Sequence, residues 1–255
     1  MKSKAFLFVA VLFAATACKK NDAGAPAESP SVKATWGSTE RYAYWENGGY
    51  RIGNNVWGTG AGPQSIWANS YSNWGVWANH PSSPGGVKSY PNSTRFINKT
   101  INSLLSCKSS FNATTPVGGA WSSTYDIWAG ANKQYELMIW MNYTGNPDGS
   151  GNVRPISYNW SATGAAVPTH TNVNVGGHTF NVFRGNNGNG ATTFSFLRTS
   201  KTNSGTVDIL AIEKWIMARG WMGNETLREV GYGFEISSTA GGQDFGCNSY
   251  SVSFN

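Results

Sequence analysis

The chain has 255 residues, of which 40% are hydrophobic, 14% aromatic and only 13% charged. Its formal charge of +6 is scattered along the chain rather than clustered, which argues against a nucleic-acid footprint. Low charge together with 12 tryptophans suits a neutral polymer as partner.

In chain order, Lys2 and Lys4 precede an apolar run over residues 5–15, and small residues then lead to Cys18. This reads as a signal peptide over residues 1–17. The run is shorter than the roughly 20 apolar residues a membrane span needs. Small residues directly before Cys18 resemble a bacterial lipoprotein cleavage site, so Cys18 is the expected lipidation point and the only membrane attachment. Loss of Lys2 and Lys4 with the leader takes the charge from +6 to +4. Residues 18–35, rich in Ala, Pro, Ser, Lys and Asn, read as a flexible tether. From Trp36 the composition changes, and residues 36–255 suit one large domain.

Within that domain, short alternating or apolar runs occur at residues 50–57, 87–97, 120–128, 135–143, 152–162, 179–184, 192–198 and 230–236. Gly, Asn, Pro and Ser punctuate them, which predicts an all-β sandwich or barrel. Residues 207–219 carry apolar side chains at helical spacing before Gly220, predicting one short helix. Cys107 and Cys247 are candidates for a disulfide in an exported protein, with two buried thiols as the alternative.

His80, His170 and His178 show no metal-ligand spacing, and no nucleophile elbow or phosphate loop appears. Residues 185–190 read as a glycine-rich turn. The carboxylates are more informative. Asp22 and Glu28 lie in the tether, Glu40 and Glu46 near strand ends, and Asp148 and Asp244 in turns or loops. Asp208, Glu213, Glu225 and Glu229 fall on or after the helix and read as solvated. Asp126, Glu136 and Glu235 remain, each on an alternating strand.

Side chains of a strand alternate between faces. Tyr135, Leu137, Ile139 and Met141 should therefore face a core, with Glu136, Met138, Trp140 and Asn142 opposite. Asp126 shares a face with Trp128, and Glu235 shares one with Gly233, where a glycine is expected to leave room for a ligand. Carboxylates beside indoles suit sugar chemistry, because a sugar ring offers an apolar C–H face to a flat aromatic surface. Two carboxyls about 5–5.5 Å apart cleave a glycosidic bond with retention, one protonating the leaving oxygen and one attacking the anomeric carbon.

Five motifs in order make the chain resemble glycoside hydrolase family 12. They are Asn54-Asn55-Val56-Trp57-Gly58, Val87-Lys88-Ser89-Tyr90-Pro91-Asn92, Tyr125-Asp126-Ile127-Trp128, Glu136-Leu137-Met138-Ile139-Trp140 and Gly233-Phe234-Glu235. The resemblance implies a jelly-roll β-sandwich of two curved antiparallel sheets with a concave substrate cleft. It implies Glu136 as nucleophile, Glu235 as general acid/base and Asp126 as the carboxyl partner of the nucleophile. Asn55 and Trp57 match sugar-holding positions and Met138 a cleft-lining one; Trp128 and Trp140, on the same strand faces, are further candidate substrate contacts. The implied activity is a retaining endo-β-1,4-glucanase without metal or organic cofactor, acting as a monomer on β-glucan. A xyloglucan-specific enzyme and a non-catalytic glucan-binding lectin are the alternatives. Ser237 departs from the pattern, since relatives often place an aromatic two positions after the acid. The expected location is the bacterial cell envelope through the lipid, or otherwise the secreted fraction.

Overall fold

The computed structural model describes residues 34–239 and 241–255. Cys18, the signal peptide and all but the last two residues of the tether lie outside them. The described chain folds into two sheets that enclose one aromatic-rich core.

The smaller sheet holds β1 (Trp36–Ser38), β4 (Gln64–Ser70), β5 (Asn73–Ala78), β7 (Cys107–Thr114), β13 (Ser204–Asp208) and β15 (Gln243–Phe254), in the spatial order β1-β4-β5-β15-β7-β13. Strand β7 shows why this sheet has one wet face. Cys107, Ser109, Phe111 and Ala113 are buried, while the alternating Lys108, Ser110, Asn112 and Thr114 are exposed. A period of two with one apolar face specifies a half-buried strand.

The larger sheet contains β2 (Tyr44–Asn47), β3 (Tyr50–Gly53), β6 (Asn92–Thr100), β8 (Ala120–Ala129), β9 (Tyr135–Tyr143), β10 (His170–Val175), β11 (His178–Asn186), β12 (Thr192–Arg198) and β14 (Thr226–Ser238). Its order is β10-β11-β12-β9-β8-β14-β6-β3-β2. Neighbouring strands are antiparallel except β12 and β9, which run parallel and place Thr193 opposite Glu136. The middle strands are covered on both faces. Leu137, Ile139 and Met141 enter the main core, while Met138 and Trp140 join a second apolar cluster with Tyr143, Phe183 and Leu197. Tyr135 packs against the main core from its edge. The expected division of β9 into two faces holds as far as Met141; a register shift against β8 there breaks the alternation, so Asn142 donates to Thr115 and Asn203 while Tyr143 joins the outer cluster.

Tyr125, Tyr232 and Tyr250 pack in the main core with Phe111, Phe234 and Trp74, their rings tilted against one another. Their buried hydroxyls are all engaged: Tyr125 with Ser109, Tyr232 with Ser123, and Tyr250 with the Val230 carbonyl. Phenols buried without such partners would cost stability.

The helix α1 spans Ile209–Met217, two residues shorter at each end than the periodicity predicts. Val207 and Asp208 finish β13 instead, and the Asp208 carboxylate caps the helix by accepting from the Ala211 N–H at 3.0 Å. Beyond it Gly220 adopts φ +67, the left-handed region that glycine enters without a Cβ penalty.

Three expectations change. Residues 152–162 form no strand, only a coil with one isolated bridge between Trp160 and Ala166. Cys107 and Cys247 are free, buried thiols. Cys107 sits opposite Phe254 and Cys247 opposite Ala113 on the same ladder. Six residues of strand separate those levels, on the order of 20 Å, against the roughly 7 Å limit for a disulfide. Finally, a Cβ at Gly233 would collide with the Pro91 carbonyl oxygen, so that glycine admits a neighbouring stretch of backbone rather than a ligand.

Candidate active site

The outer face of the larger sheet carries a cleft of about 510 Å³ lined by Asn55, Trp57, Asp126, Trp128, Glu136, Met138 and Glu235. These residues come from β8, β9, β14 and the loop after β3. Register explains the assembly: β8 sets Trp128 opposite Glu136 and Asp126 opposite Met138, while β14 sets Gly231 opposite Asp126. Core-facing Tyr125, Ile127, Leu137, Ile139, Phe234 and Ile236 lock each strand so that its carboxylate must point the other way.

Glu136 is only 9% exposed, and both of its hydrogen bonds fall on one oxygen. Oε2 accepts from Thr193 Oγ1 at 2.6 Å and from Asn187 Nδ2 at 3.2 Å. Oε1 accepts none among the described residues, and Glu136 lines the cleft. Burial raises the Glu136 pKa, and the two donors oppose that rise by favouring the anion.

Asp126 accepts from Trp128 Nε1 through Oδ2 at 3.0 Å, and its Oδ1 is sealed from solvent without a partner. Burial first, and then the charge of Glu136, push its pKa well above the usual carboxylate range. Two buried carboxyls in mutual range do not both ionise readily. Glu136 has two donors on its anion, whereas Asp126 has one and a second oxygen sealed without a partner, so Asp126 is the one that keeps its proton.

Glu235 receives a single long hydrogen bond, from Ser122 Oγ at 3.4 Å. Burial, and next the Glu136 charge, raise its pKa from 4.5 to about 7. Besides protonated Asp126, the cleft thus holds one glutamate with two donors on its anion and a second that keeps its proton to neutrality. That pairing is what acid-assisted glycosyl transfer needs.

The sequence model of glycosyl hydrolase family 12 matches residues 48–255. The chain belongs to that family. By class it is therefore a glycoside hydrolase, and its fold is the family's β-sandwich. The xyloglucanase domain of NopAA, a type three effector from Sinorhizobium fredii solved with cellobiose, is 47% identical with a TM-score of 0.85. The alignment covers 87% of this chain and 99% of that one. A cellulase derived from Cel12A of Rhodothermus marinus is 26% identical with a TM-score of 0.70, over 86% of this chain and 99% of that one. Endoglucanase S of Pectobacterium parmentieri is 29% identical over 145 residues, 51% of this chain and 48% of the relative. The chain spans about half the length of that curated relative.

The remaining expected substrate contacts occupy the following places. Trp57 is 46% exposed and lines the cleft. Asn55 adopts φ +45 and donates Nδ2 to the Tyr90 carbonyl at 3.2 Å, leaving its amide oxygen for a ligand. Met138 and Trp128 line the cleft, with the Trp128 indole N–H committed to Asp126. Trp140 is different. It is 3% exposed and packs at 5.6 Å from Tyr143, so it presents no platform and borders only the neighbouring hollow beside Glu235.

Three contributors escaped the sequence reading. Thr193 lies 57 residues from Glu136 and reaches it through the parallel pair. Asn187 belongs to the presumed simple turn, whose folding onto Asn187 Oδ1 by the N–H groups of Asn189 and Ala191 aims Nδ2 at Glu136. Glu229 is not beside the helix in solvent. It stands on β14, lines the cleft and pairs with Lys133 at 2.7 Å. His80, in the loop after β5, is wholly buried, accepting from the Gly62 N–H and hydrogen-bonded to Gln64 and Ser89.

Proposed function

We propose that this glycoside hydrolase is a retaining endo-β-1,4-glucanase with Glu136 as nucleophile and Glu235 as general acid/base. The observation that carries the reading is the unequal treatment of two glutamates in one cleft. Glu136 Oε2 is held by Thr193 and Asn187 while Oε1 is free, and Glu235 titrates at about 7.

The chain of a neutral glucan lies across the sheet, with a glucose ring stacked on Trp57 and hydroxyls held by Asn55. Glu235 gives its proton to the glycosidic oxygen as Glu136 Oε1 bonds to the anomeric carbon, and the C–O bond to the leaving saccharide breaks. Glu235, now a carboxylate, takes a proton from water, whose oxygen displaces Glu136. Asp126 stays protonated beside Glu136 and limits the negative charge near the nucleophile. Two inversions leave the β-anomer. No step calls on a metal or an organic cofactor.

Xyloglucan is the second candidate substrate, favoured by the 47% identity to a domain named a xyloglucanase. The Cys18 lipid, the bacterial envelope or secreted location and the monomeric state complete the proposal. Reducing-sugar release from mixed-linkage glucan, xyloglucan and carboxymethylcellulose tests it, with anomers followed by NMR. The reading requires cutting by the wild type, none by Glu136→Gln, and β product first. Tight polymer binding without any cutting would establish a lectin instead, and early α product would remove Glu136 from its role.

A further inference from the structure

The cleft has two unlike ends. On the side of β2 and β3 it continues into a hollow of about 320 Å³ that shares Asn55, Asn92 and Thr94 with it. Exposed rings of Tyr42, Tyr44 and Phe96 line that end, next to the exposed Trp57. On the other side of Glu235 lies a hollow of about 480 Å³ with walls from Ser82, Gly85, Gly86, Asn152 and Ser237. The one ring on its lining, Trp140, is buried edge and face. Arg154 also borders it, with Nε and one Nη donating to the carbonyls of Gly151 and Gly164 and the other Nη without a partner among the described residues.

Glu235 lines both the main cleft and this ring-poor hollow, whereas Glu136 lines only the main cleft. The proton donor marks the scissile oxygen, so the saccharide that departs must occupy the hollow beyond Glu235. There it meets small hydroxyls, an amide, glycines, the Arg154 guanidinium and the short aliphatic chains of Val87 and Val153, but no exposed ring. Hydrogen bonds to such groups compete with water on nearly even terms, and stacking, the contribution that distinguishes a sugar from water, is absent.

We propose that Ser237 sets the fate of the glycosyl–enzyme: because no ring stands at that position, the departing saccharide is released and water, not a second sugar, is the acceptor. The inference rests on the hydrolase reading above. In either outcome the bond between the anomeric carbon and Glu136 Oε1 breaks, and its electron pair returns to the carboxylate. The new bond forms to an oxygen of water or of a sugar hydroxyl, and Glu235 takes the proton that oxygen loses. Only the occupant of the hollow decides between hydrolysis and transfer.

The test uses 4-nitrophenyl β-cellobioside as donor and isotopically labelled cellobiose as acceptor. Nitrophenol counts all turnovers, and labelled cellotetraose counts transfers by mass spectrometry. For the wild type, transfer should remain the minor fate at millimolar acceptor. Ser237→Trp and Ser237→Tyr, two ring sizes so that one misfolded variant decides nothing, should raise the transfer-to-hydrolysis ratio roughly three- to tenfold. Transfer equal to or above hydrolysis in the wild type overturns the inference, as does an unchanged ratio in a folded, active variant. Absence of nitrophenol, together with no reducing ends from mixed-linkage glucan or xyloglucan, removes the hydrolase reading and this inference with it. Cleavage with the wrong partition removes the inference alone.

Discussion

Glu136 and Glu235 are the same residue on the same sheet face, separated by the single strand β8, yet their surroundings prepare them for opposite work. Glu136 meets two donors on one oxygen, a hydroxyl from the strand beside it and an amide from a loop folded on itself. Glu235 meets one serine at 3.4 Å and the negative charge of its partner. In the proposed mechanism, then, the labour is divided by neighbours rather than by residue type. Donors hold one group ionised, and burial with a like charge holds the other protonated.

The most severe way to break this comparison is to remove the charge that both sides depend on. Glu136→Gln should abolish turnover, and it should also lower the Glu235 pKa from about 7, since the like charge that helps raise it is gone. A carboxyl-carbon NMR titration of Glu235 reads the second effect directly. An unmoved Glu235 would mean that the two groups do not sense one another. Glu235→Gln should cost about 10²–10⁴-fold, the usual worth of a general acid/base. The wild-type kcat/KM should fall above about pH 7 as Glu235 loses its proton, and that limb should vanish in the variant. Azide added to the alanine variants separates the roles by stereochemistry: an α-azide from Glu136→Ala and a β-azide from Glu235→Ala.

Thr193→Val sharpens the comparison more gently. It deletes the 2.6 Å hydrogen bond to Glu136 Oε2 and leaves the volume nearly unchanged. Hydrogen bonds to charged groups are worth about 1.5–3 kcal/mol, equivalent to about one or two pH units. The anion loses support, so the Glu136 pKa rises and the acid limb of the pH–rate profile should move upward by about one unit. An acid limb that stays in place would show that Asn187 alone, or solvent, keeps Glu136 ionised.

How much of this was legible beforehand follows from what a strand reveals about itself. Alternation placed Glu136, Asp126 and Glu235 opposite core residues, because one buried face dictates the other. It could not show that β12 runs parallel to β9, and so it missed Thr193. Asn187 was hidden for a related reason, since a glycine- and asparagine-rich turn looks the same whether or not an amide points into a cleft. Trp140 was misjudged because alternation gives a face but not what covers it; Val153 and Ala166, from the coil over residues 144–169, close over that part of the sheet. Glu229 follows a register shift on β14, between Leu227 and Glu229, that breaks the period a reader would count.

The smallest effect on activity should come from Glu213, and it tests what a raised pKa means by itself. Glu213 sits on α1, wholly buried, with Oε1 sealed from solvent and unpartnered, and burial alone pushes its pKa from 4.5 to about 8. The direction matches that of Glu235, but no cleft residue touches it. Its folded pKa exceeds the unfolded value, so the stability linked to its proton is full below about pH 4.5 and is lost as pH rises through about 8. At pH 7 the cost amounts to about 3 kcal/mol if relaxation does not soften it. Glu213→Gln carries no titrating proton, so the fall in Tm between pH 5 and pH 8 should be shallower than in the wild type. The pH–rate profile should be unchanged. Asp126, Glu136 and Glu235 remain in both proteins, so their contribution of the same sign cancels in the difference. An equal slope would show that Glu213 reaches water in the folded state, and a moved rate profile would show that α1 communicates with the cleft. With neither, two acids raised by burial differ in what they face, and it is the facing charge of Glu136 that sets Glu235, the acid of the proposed mechanism, apart from Glu213.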